Sequence, residues 1–524
     1  MDGFLDNLAE ANDVVNSFVW TKVGVWLLIA VGLLMTILTK CFQVSHFGHW
    51  MKKTVGSLFE KKVRSHTGEK ASISQFQALC TALAATVGVG NIAGVAGAIV
   101  TGGPGAVFWM WVAAFLGMMT NYSENILGIY FRRKNKKGEW SGGAMYYLQD
   151  GLGGYGGMKG IGKFLAIVFA ICAVFASFGI GNMGQVNKIV LNFTSAFDIP
   201  ALSEKVLYTG DNGSSVTLYH LIIGIVILIL VGIVVIGGLK RIALVAEKII
   251  PFMVVMFVLG SLTVILMHAS AIGKAFGSIF SMAFSGQALW GGAAGISLKQ
   301  IITMGCKRGV FSNEAGLGSS VMVHSNSNVV EPVKQGLWGI FEVFADTIVI
   351  CTMTALTILT SGVIDLETGV IAKGDDATLV AESFNTVFKF GDFELGKYFV
   401  AIAILLFAFT TVLGWSHYGT KAVEYLAGKR AEWIVIAYKI IFVMVILLGA
   451  LLTSSIAWDI SDTFNGMMML PNLIGVLALS PLVVKLTKNY VDRRIKGKDI
   501  EPMLSYFPEI QEEHARKIRE TGED

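Results

Sequence analysis

Residues 84–97 read Ala-Ala-Thr-Val-Gly-Val-Gly-Asn-Ile-Ala-Gly-Val-Ala-Gly, in the middle of an apolar stretch long enough to cross a bilayer. Three features conflict with an uninterrupted membrane helix. Gly88 and Gly90 flank one residue, and each costs about 1 kcal/mol relative to alanine inside a helix. Asn91 brings an amide that hydrocarbon does not solvate, and Thr86 adds a hydroxyl. Because broken backbone at membrane depth is tolerated only where it faces protein or water, the stretch predicts a broken helix whose free ends hold an ionic solute.

The composition indicates a polytopic membrane protein. Of 524 residues, 54% are hydrophobic and 15% are charged, whereas a soluble chain of this size needs more polar surface. No cleavable signal is predicted, because the N-terminus is acidic and no basic segment precedes the first apolar run. The 5 cysteines lie singly in or near apolar segments, so a packing role is expected for them.

Apolar segments near the length of about 20 residues that crosses the hydrocarbon predict eleven transmembrane helices in an all-α fold. The predicted spans are 18–40, 74–100, 105–130, 162–192, 217–237, 242–268, 283–306, 336–360, 397–420, 432–455 and 464–485.

Lysine and arginine predict the orientation of these spans. With eleven spans, the basic clusters all fall on one side: 52–70, 132–137, Lys240/Arg241, Lys307/Arg308, Lys429/Arg430 and 493–498. The opposite loops are acidic or neutral. This pattern predicts a cell-membrane (inner or plasma membrane) protein with its N-terminus outside and its C-terminus in the cytoplasm. The polar tail from about residue 486 is expected to form a short surface helix or to be disordered.

A second glycine-interrupted span lies five spans after the first. Residues 286–296 read Gly-Gln-Ala-Leu-Trp-Gly-Gly-Ala-Ala-Gly-Ile, which places Trp290 beside Gly291 and Gly292. Two interrupted spans in corresponding positions of two halves point to a transporter site, although glycine also serves close helix packing. The two halves have opposite topology, as an inverted repeat requires. The predicted organisation is an extra leading helix at 1–41, a basic linker at 42–73, five-helix repeats at 74–268 and 269–485, and a tail at 486–524.

Polar side chains elsewhere in the spans are further candidates. Gln185 is expected either to reach a substrate carboxylate or to support the broken helix, and a bridging amide between helices is an equal alternative for it and Asn182. Glu342 and Asp346 lie one turn apart in an apolar span, where carboxylates are functional candidates by default. Glu342 is expected to pair with Lys334 or Arg308 in an inner gate, and Asp346 to balance a cation or to protonate.

Residues 102–117 read GGPGAVFWMWVAAFLG, directly after GVGNIAGVAGAIV, while 311–320 read FSNEAGLGSS and 342–357 read EVFADTIVICTMTALT. These runs resemble the alanine or glycine:cation symporter family over about residues 74–485. The resemblance implies uptake of alanine, glycine or a similar small amino acid, coupled to sodium or sometimes to protons. It also implies a five-plus-five inverted repeat of the leucine-transporter type, preceded by one extra helix.

For a zwitterionic substrate, each of the two predicted breaks is expected to bind one of the charged groups. The Val89 and Gly90 amides, beside Asn91, are expected to bind the carboxylate, and Gly88 to permit its approach. The ammonium group is expected at the carbonyls of the second break, lined by Trp290, Gly291, Gly292, Ala293 and Gly295.

The resemblance also implies sodium ligands. The fold type places paired hydroxyls beside carbonyls of the first broken helix, which here gives Thr410 and Thr411 with the carbonyls of Ala84 and Val87. On the residues alone, Thr410 and Thr411 are more often hydroxyls bonded back to their own helix. Thr86 and Asn91 are candidates for a second cation site.

Other functional classes receive less support. No HExxH, GxSxG in a strand–turn–helix setting, His/Cys cluster or Walker A motif occurs, so no enzyme activity and no ATP-driven transport are predicted. A channel needs a continuous polar lining and is less favoured. A proton-coupled carrier, or a carrier of another zwitterion or a nucleobase on the same fold, stays an alternative. The expected partners are the amino acid and membrane lipid, with no sign of nucleic acid or an obligate protein partner.

Overall fold

The computed structural model is predominantly helical and describes residues 2–64, 72–136, 138–210, 215–284, 297–366, 376–452 and 456–521. Within these ranges, 7 helices are long and apolar enough to cross a membrane: Ala9–Leu38, Lys159–Ala196, Leu218–Ile236, Gly238–Met267, Pro332–Thr360, Leu395–Ala427 and Ala431–Leu451. The helices Asp459–Ala478 and Ser480–Ile495 are bent by 59° relative to each other, and they make an eighth span if the pair crosses as one. The helical, multi-pass character is confirmed, while the count of eleven and the repeat boundaries stay predictions.

The long helices turn apolar side chains outward. On Gly238–Met267, the exposed residues include Phe252, Val255, Leu259 and Leu262. Their spacing of three and four residues places them on one helix face. An exposed apolar stripe of this length suits hydrocarbon rather than water, so this face is the lipid-facing one.

The first broken helix consists of Gln75–Thr86 and Ala93–Gly102, with a short 3₁₀ turn at Val89–Asn91 between them. It begins with a reciprocal cap, in which the Ser74 hydroxyl accepts from the Gln77 amide and the Gln77 side chain accepts from the Ser74 amide, both at 3.1 Å. A sharp turn then leads into the 26-residue helix Gly105–Tyr130.

A second broken helix is formed by Leu298–Asn313 and Val321–His324. Its first half runs antiparallel to Ala93–Gly102. Gln300 near its start donates to the Thr101 carbonyl at 3.0 Å, while Ser312 near its end lies against Gly90. The two breaks therefore meet at one level in the middle of the helical bundle.

Shorter elements complete the described chain. The remaining α-helices are Phe42–Ser45, Phe47–Lys53, Lys61–Arg64, Ala144–Tyr146, Pro200–Ser203, Ile272–Met282, Asp376–Asn385 and Pro508–Thr521. Three small antiparallel hairpins pair Arg133–Lys134 with Trp140–Ser141, Val206–Thr209 with Ser215–Thr217, and Lys389–Phe390 with Phe393–Glu394.

The C-terminal tail packs against one end of the bundle. The Tyr506 amide donates to the Tyr130 carbonyl at 2.9 Å, and Lys134 contacts Glu513 at 3.0 Å. The expected surface helix is present as Pro508–Thr521. Disorder, the other expectation for this segment, is wrong for its described part, because backbone bonds and ion pairs hold it.

The predicted placement of Lys307 and Arg308 with the other basic clusters is wrong. Both lie on Leu298–Asn313, which starts beside Thr101 at the end of the bundle opposite Tyr130. Lys307 contacts Asp462 at 2.9 Å there. The error arose because the predicted span 283–306 ended too early: the helix continues to Asn313 and includes both residues. Which end faces the cytoplasm stays a prediction.

Candidate functional site

The first break leaves backbone groups inside the protein without helical hydrogen-bond partners. Helical bonding ends at Val87, whose amide donates to the Leu83 carbonyl at 2.8 Å, and Gly88 is extended at φ −132° and ψ −156°. The last carbonyls of an α-helix have no partner within the helix. Ala84 and Val87 are fully buried, so their carbonyls lie where a cation, rather than bulk water, can satisfy them.

Gly88 lies close to the helix Leu395–Ala427. A β-carbon at Gly88 would lie 2.5 Å from the Thr411 hydroxyl oxygen and 3.5 Å from the Gln185 amide oxygen. No side chain fits there without displacing Thr411. The glycine therefore allows a hydroxyl and an amide oxygen to approach the backbone of the break.

The two threonines predicted as sodium ligands differ in setting. The Thr411 hydroxyl donates to the Phe407 carbonyl at 3.0 Å, and its oxygen lies next to Gly88. The Thr410 hydroxyl donates to the same carbonyl at 2.9 Å and lies 3.8 Å from the sulfur of Met253. A hydroxyl that donates to a carbonyl still has lone pairs for a cation, so this bonding is compatible with ligation. Proximity to the break is shown for Thr411.

Asn91 joins the break to the helix Pro332–Thr360. Its side-chain oxygen accepts from the Gly88 amide at 2.8 Å, and its side-chain nitrogen donates to Asp346 Oδ1 at 2.7 Å. Its backbone carbonyl accepts from the Thr354 hydroxyl at 2.7 Å. One buried asparagine thus fixes the shape of the break and ties it to a carboxylate of another helix.

Asp346 is the centre of a buried polar cluster. Besides Asn91, the Ser312 hydroxyl donates to Asp346 Oδ2 at 2.7 Å and the Thr347 hydroxyl donates to it at 2.8 Å. Cys351 lies 3.3 Å from the Ser312 hydroxyl. The aspartate lies in a π-helical segment, Phe344–Cys351, and such segments are frequent at functional sites. Carboxylate and hydroxyl oxygens are hard ligands of the kind that sodium takes.

The second break is built on left-handed backbone. Between Asn313 and Ser320, φ is +55° at Glu314, +92° at Gly316 and +74° at Gly318. The Asn472 side chain donates to the Gly316 carbonyl at 2.8 Å. These positive φ values end the helix, so this interruption is a fixed feature of the fold.

Helix ends of opposite polarity meet between the two breaks. A β-carbon at Gly90 would lie 3.6 Å from Ser312 Cα. Ala93–Gly102 therefore begins, and Leu298–Asn313 ends, at the same level. A helix N-terminus favours an anion and a C-terminus favours a cation. The arrangement suits a ligand that carries both charges.

Gln185 faces the first break. Its amide oxygen lies 3.5 Å from the Val89 amide, and its amide nitrogen donates to the Ile180 carbonyl at 3.1 Å. The neighbouring candidate, Asn182, instead donates to the Phe442 carbonyl at 2.6 Å. Of the two amides, Gln185 therefore supports the broken helix and Asn182 bridges two other elements.

Glu342 has partners other than the predicted ones. Its Oε2 accepts from the Asn121 side chain at 3.2 Å and contacts His324 Nε2 at 2.9 Å. The predicted pair with Arg308 is wrong, because Arg308 lies on the Thr101 side of the two breaks, where Asp462 and Asp376 are the acidic groups near it. Gly339 brings the helix of Glu342 close to Asn121 and Asn125, which determines these partners.

Two groups of predicted site residues stand apart from this geometry. Thr86 lies in the last turn of its helix, where its hydroxyl bonds back to the Ala82 carbonyl at 3.3 Å, and its part in a second cation site stays a prediction. The second-break residues predicted from the sequence lie outside the described residues: Trp290, Gly291, Gly292, Ala293 and Gly295.

Sequence reasoning missed Ser312, Thr354 and Cys351 as members of the Asp346 cluster. Their signal lay in the family-like runs FSNEAGLGSS and EVFADTIVICTMTALT, which contain all of them. Asn313, Gly316 and Gly318 in the first run also carried the turn chemistry of a helix break.

Comparison with known proteins gives concordant matches over nearly the whole chain. The profile of the sodium:alanine symporter family matches residues 5–503. The sodium/alanine symporter AgcS of Methanococcus maripaludis is 40% identical over 482 residues, covering 92% of this chain and 97% of AgcS. The probable sodium/glutamine symporter GlnT of Bacillus subtilis is 33% identical over 487 residues, covering 93% of this chain and 91% of GlnT.

A solved structure shares the fold. The crystal structure of MhsT in complex with L-phenylalanine superposes with a TM-score of 0.50 at 13% identity, covering 80% of this chain and 99% of MhsT. The likeness supports a fold of the leucine-transporter type.

Proposed function

Because this chain belongs to the sodium:alanine symporter family, we propose that it couples uptake of a small neutral amino acid, alanine or glycine, to inward movement of sodium. Cation-coupled amino acid transport is the activity of the family; the identity of the amino acid and of the ion is our proposal. The main support for this proposal is the pair of hydrogen bonds made by Asn91, which join the broken helix to the Asp346 carboxylate in a buried site.

The substrate lies between the two helix ends that meet at Gly90 and Ser312. Its carboxylate binds at the N-terminal end of Ala93–Gly102, where the amides of Val89 and Gly90 are the proposed donors. Its ammonium group binds at the C-terminal end of Leu298–Asn313, toward the carbonyls of its last turn. This placement replaces the ammonium site expected at Trp290–Gly295. The tight contact between Gly90 and Phe311, 3.3 Å from a β-carbon at Gly90, favours a small side chain on the substrate.

One sodium ion binds where the first half-helix ends. The proposed ligands are the carbonyls of Ala84 and Val87 with the hydroxyls of Thr410 and Thr411. The closeness of Thr411 to Gly88 supports this placement. Sodium at this point neutralises the negative end of Gln75–Thr86 and holds the helix Leu395–Ala427 against it.

A second cation is proposed at Asp346. The oxygens of Asp346, Ser312 and Thr347 lie within one hydrogen-bonded cluster, to which Asn91 donates through its side-chain nitrogen. Asp346 replaces Thr86 as the proposed partner of Asn91 in the second cation site. A cation there draws the two broken helices together through Asn91 and Ser312. Binding of sodium and substrate thereby shifts the population between outward-facing and inward-facing states.

Uptake by the purified protein in proteoliposomes tests the proposal. An inward sodium gradient is expected to drive accumulation of radiolabelled alanine, and unlabelled glycine is expected to compete with it. Unlabelled glutamine tests the alternative suggested by the similarity to GlnT. An inward proton gradient without sodium tests proton coupling. Accumulation driven by protons alone, or competition by glutamine and not by glycine, contradicts the proposed ion or substrate.

A further inference from the structure

An ionic cluster lies on the Thr101 side of the two breaks, the side predicted to face outward, and includes Lys307. Lys307 contacts Asp462 at 2.9 Å, and Lys188 contacts Asp376 at 2.5 Å. The acidic groups that act on Arg308 are these same two aspartates. Each already contacts a lysine, so the five described residues of this cluster, Lys188, Lys307, Arg308, Asp376 and Asp462, carry one more positive charge than negative charge.

Arg308 carries the excess charge. Among the described residues, no partner contacts its buried Nε, and none of the ion pairs includes its guanidinium. A β-carbon at Gly97 would lie 3.9 Å from its Nη2, which places the guanidinium beside the half-helix Ala93–Gly102. Arg308 is half-buried, and a guanidinium with a buried nitrogen that no described group satisfies loses solvation without gaining a hydrogen bond, so this position favours a bound anion.

The position of Arg308 relates it to the central site. It precedes Ser312 by four residues on one helix, so both side chains lie on the same face, one turn apart. Ser312 donates to Asp346 and lies against Gly90. An anion at Arg308 is therefore one helical turn outward from the site proposed for the substrate.

We propose that Arg308 forms an outer binding site for the carboxylate of the incoming amino acid, which the substrate occupies before it reaches the breaks. This inference rests on the proposed function for the identity of the ligand. A guanidinium binds a carboxylate through two parallel hydrogen bonds, a geometry that lysine cannot reproduce. Lys307 differs from Arg308 in already having a carboxylate partner, which makes it the matched control.

Propionate, which has a carboxylate and an alkyl group but no ammonium group, is the probe for this site. In thermal unfolding of the purified protein, propionate is expected to raise the Tm of the wild type. The same rise is expected for Lys307→Gln. The shift is expected to be absent in Arg308→Gln and reduced in Arg308→Lys, which keeps the charge. Equal shifts in wild type and Arg308→Gln overturn the proposal. A shift produced by chloride and not by propionate also overturns it, because the site then takes an inorganic anion.

Uptake kinetics provide the second measurement. Arg308→Gln is expected to raise the apparent KM for alanine by about tenfold, or about 1.4 kcal/mol, with the maximal rate retained. Lys307→Gln is expected to leave KM near the wild-type value. A loss of maximal rate with unchanged KM contradicts a role in substrate capture. The propionate shift does not depend on transport, so failure of the proposed function and failure of this inference are separately visible.

Discussion

Asn91 is the residue on which the central site depends, because it contacts three residues at once, one in the first break and two on the helix Pro332–Thr360. It caps Gly88, donates to Asp346 and accepts from Thr354. A side chain with one acceptor and one donor group is needed for the first two contacts. Aspartate at this position would lose the donor and place a second carboxylate against Asp346.

The Thr354 contact gives a prediction with an internal control. Thr354→Val removes the hydrogen bond to the Asn91 carbonyl, and we expect a loss of about 1–2 kcal/mol in sodium-dependent substrate binding. Thr357→Val lies one turn along the same helix, and its hydroxyl bonds only to the Met353 carbonyl of that helix at 2.8 Å. Isothermal calorimetry with alanine at saturating sodium measures both. Equal losses in the two variants would show that Thr354 acts only on general helix stability.

Gly88 gives a second prediction at this scale. Gly88→Ala forces a β-carbon to within 2.5 Å of the Thr411 oxygen, so Thr411 must move from the break. We expect the apparent sodium affinity of uptake to fall by at least about tenfold. Gly94→Ala is the control, because a β-carbon at Gly94 meets nothing within 4 Å. Wild-type sodium affinity in Gly88→Ala would remove Thr411 from the proposed ion site.

At the scale of the element, the left-handed backbone of the second break predicts a difference between two glycines. Gly318 has φ +74°, and its β-carbon would lie 2.8 Å from Asn472. Gly362 has φ +78° and meets nothing within 4 Å. Gly362→Ala is expected to cost about 1 kcal/mol from strain alone. Gly318→Ala is expected to cost more, because it also displaces Asn472 from the Gly316 carbonyl.

Thermal unfolding of the purified variants compares the two substitutions. A lower Tm for Gly318→Ala than for Gly362→Ala supports a rigid second break. The same Tm for both would indicate that the segment around Gly318 adjusts freely and does not hold a fixed helix end.

The two broken helices also show how far sequence patterns predict this fold. The first break could be predicted from the sequence, because Gly88, Gly90 and Asn91 interrupt an apolar run. The predicted second break at 286–296 lies outside the described residues, and the interruption between Asn313 and Ser320 was not predicted. At Glu314 the backbone is left-handed, with φ +55°, but the residue is not a glycine, so the sequence does not predict this conformation. The contacts that define the site, such as Ser312 with Asp346, join residues 34 apart, and periodicity within one helix contains no information about them.

At the scale of the whole molecule, an almost fully buried ion pair joins the tail to the N-terminal end of the helix Pro332–Val343. Arg493 contacts Glu331 at 2.5 Å, and the side chains are 8% and 1% exposed. Burial raises the pKa of Glu331, and Arg493 opposes that rise. Arg493→Gln leaves a buried carboxylate without its partner, for which we expect a loss of about 3 kcal/mol.

The pH dependence of this loss has a definite sign. Without Arg493, the pKa of Glu331 rises further above its unfolded value. Stability that depends on the protonated carboxyl is then present at low pH and lost as pH rises through the folded-state pKa. Arg493→Gln is therefore expected to lose more stability at about pH 7.5 than at about pH 5, measured as Tm against wild type. Glu331→Gln/Arg493→Gln is the control, and its deficit is expected to vary less with pH.

The first break is proposed to bind the amino acid and sodium in one site held by Asn91. Equilibrium binding of radiolabelled alanine to the purified protein, measured across a series of sodium concentrations, tests it most directly. We predict tight binding to wild type that requires sodium. In Asn91→Ala and Thr411→Ala, we predict that the sodium needed for half-maximal binding rises by at least about tenfold. Sodium-independent binding in wild type, or wild-type sodium dependence in both variants, would contradict the account.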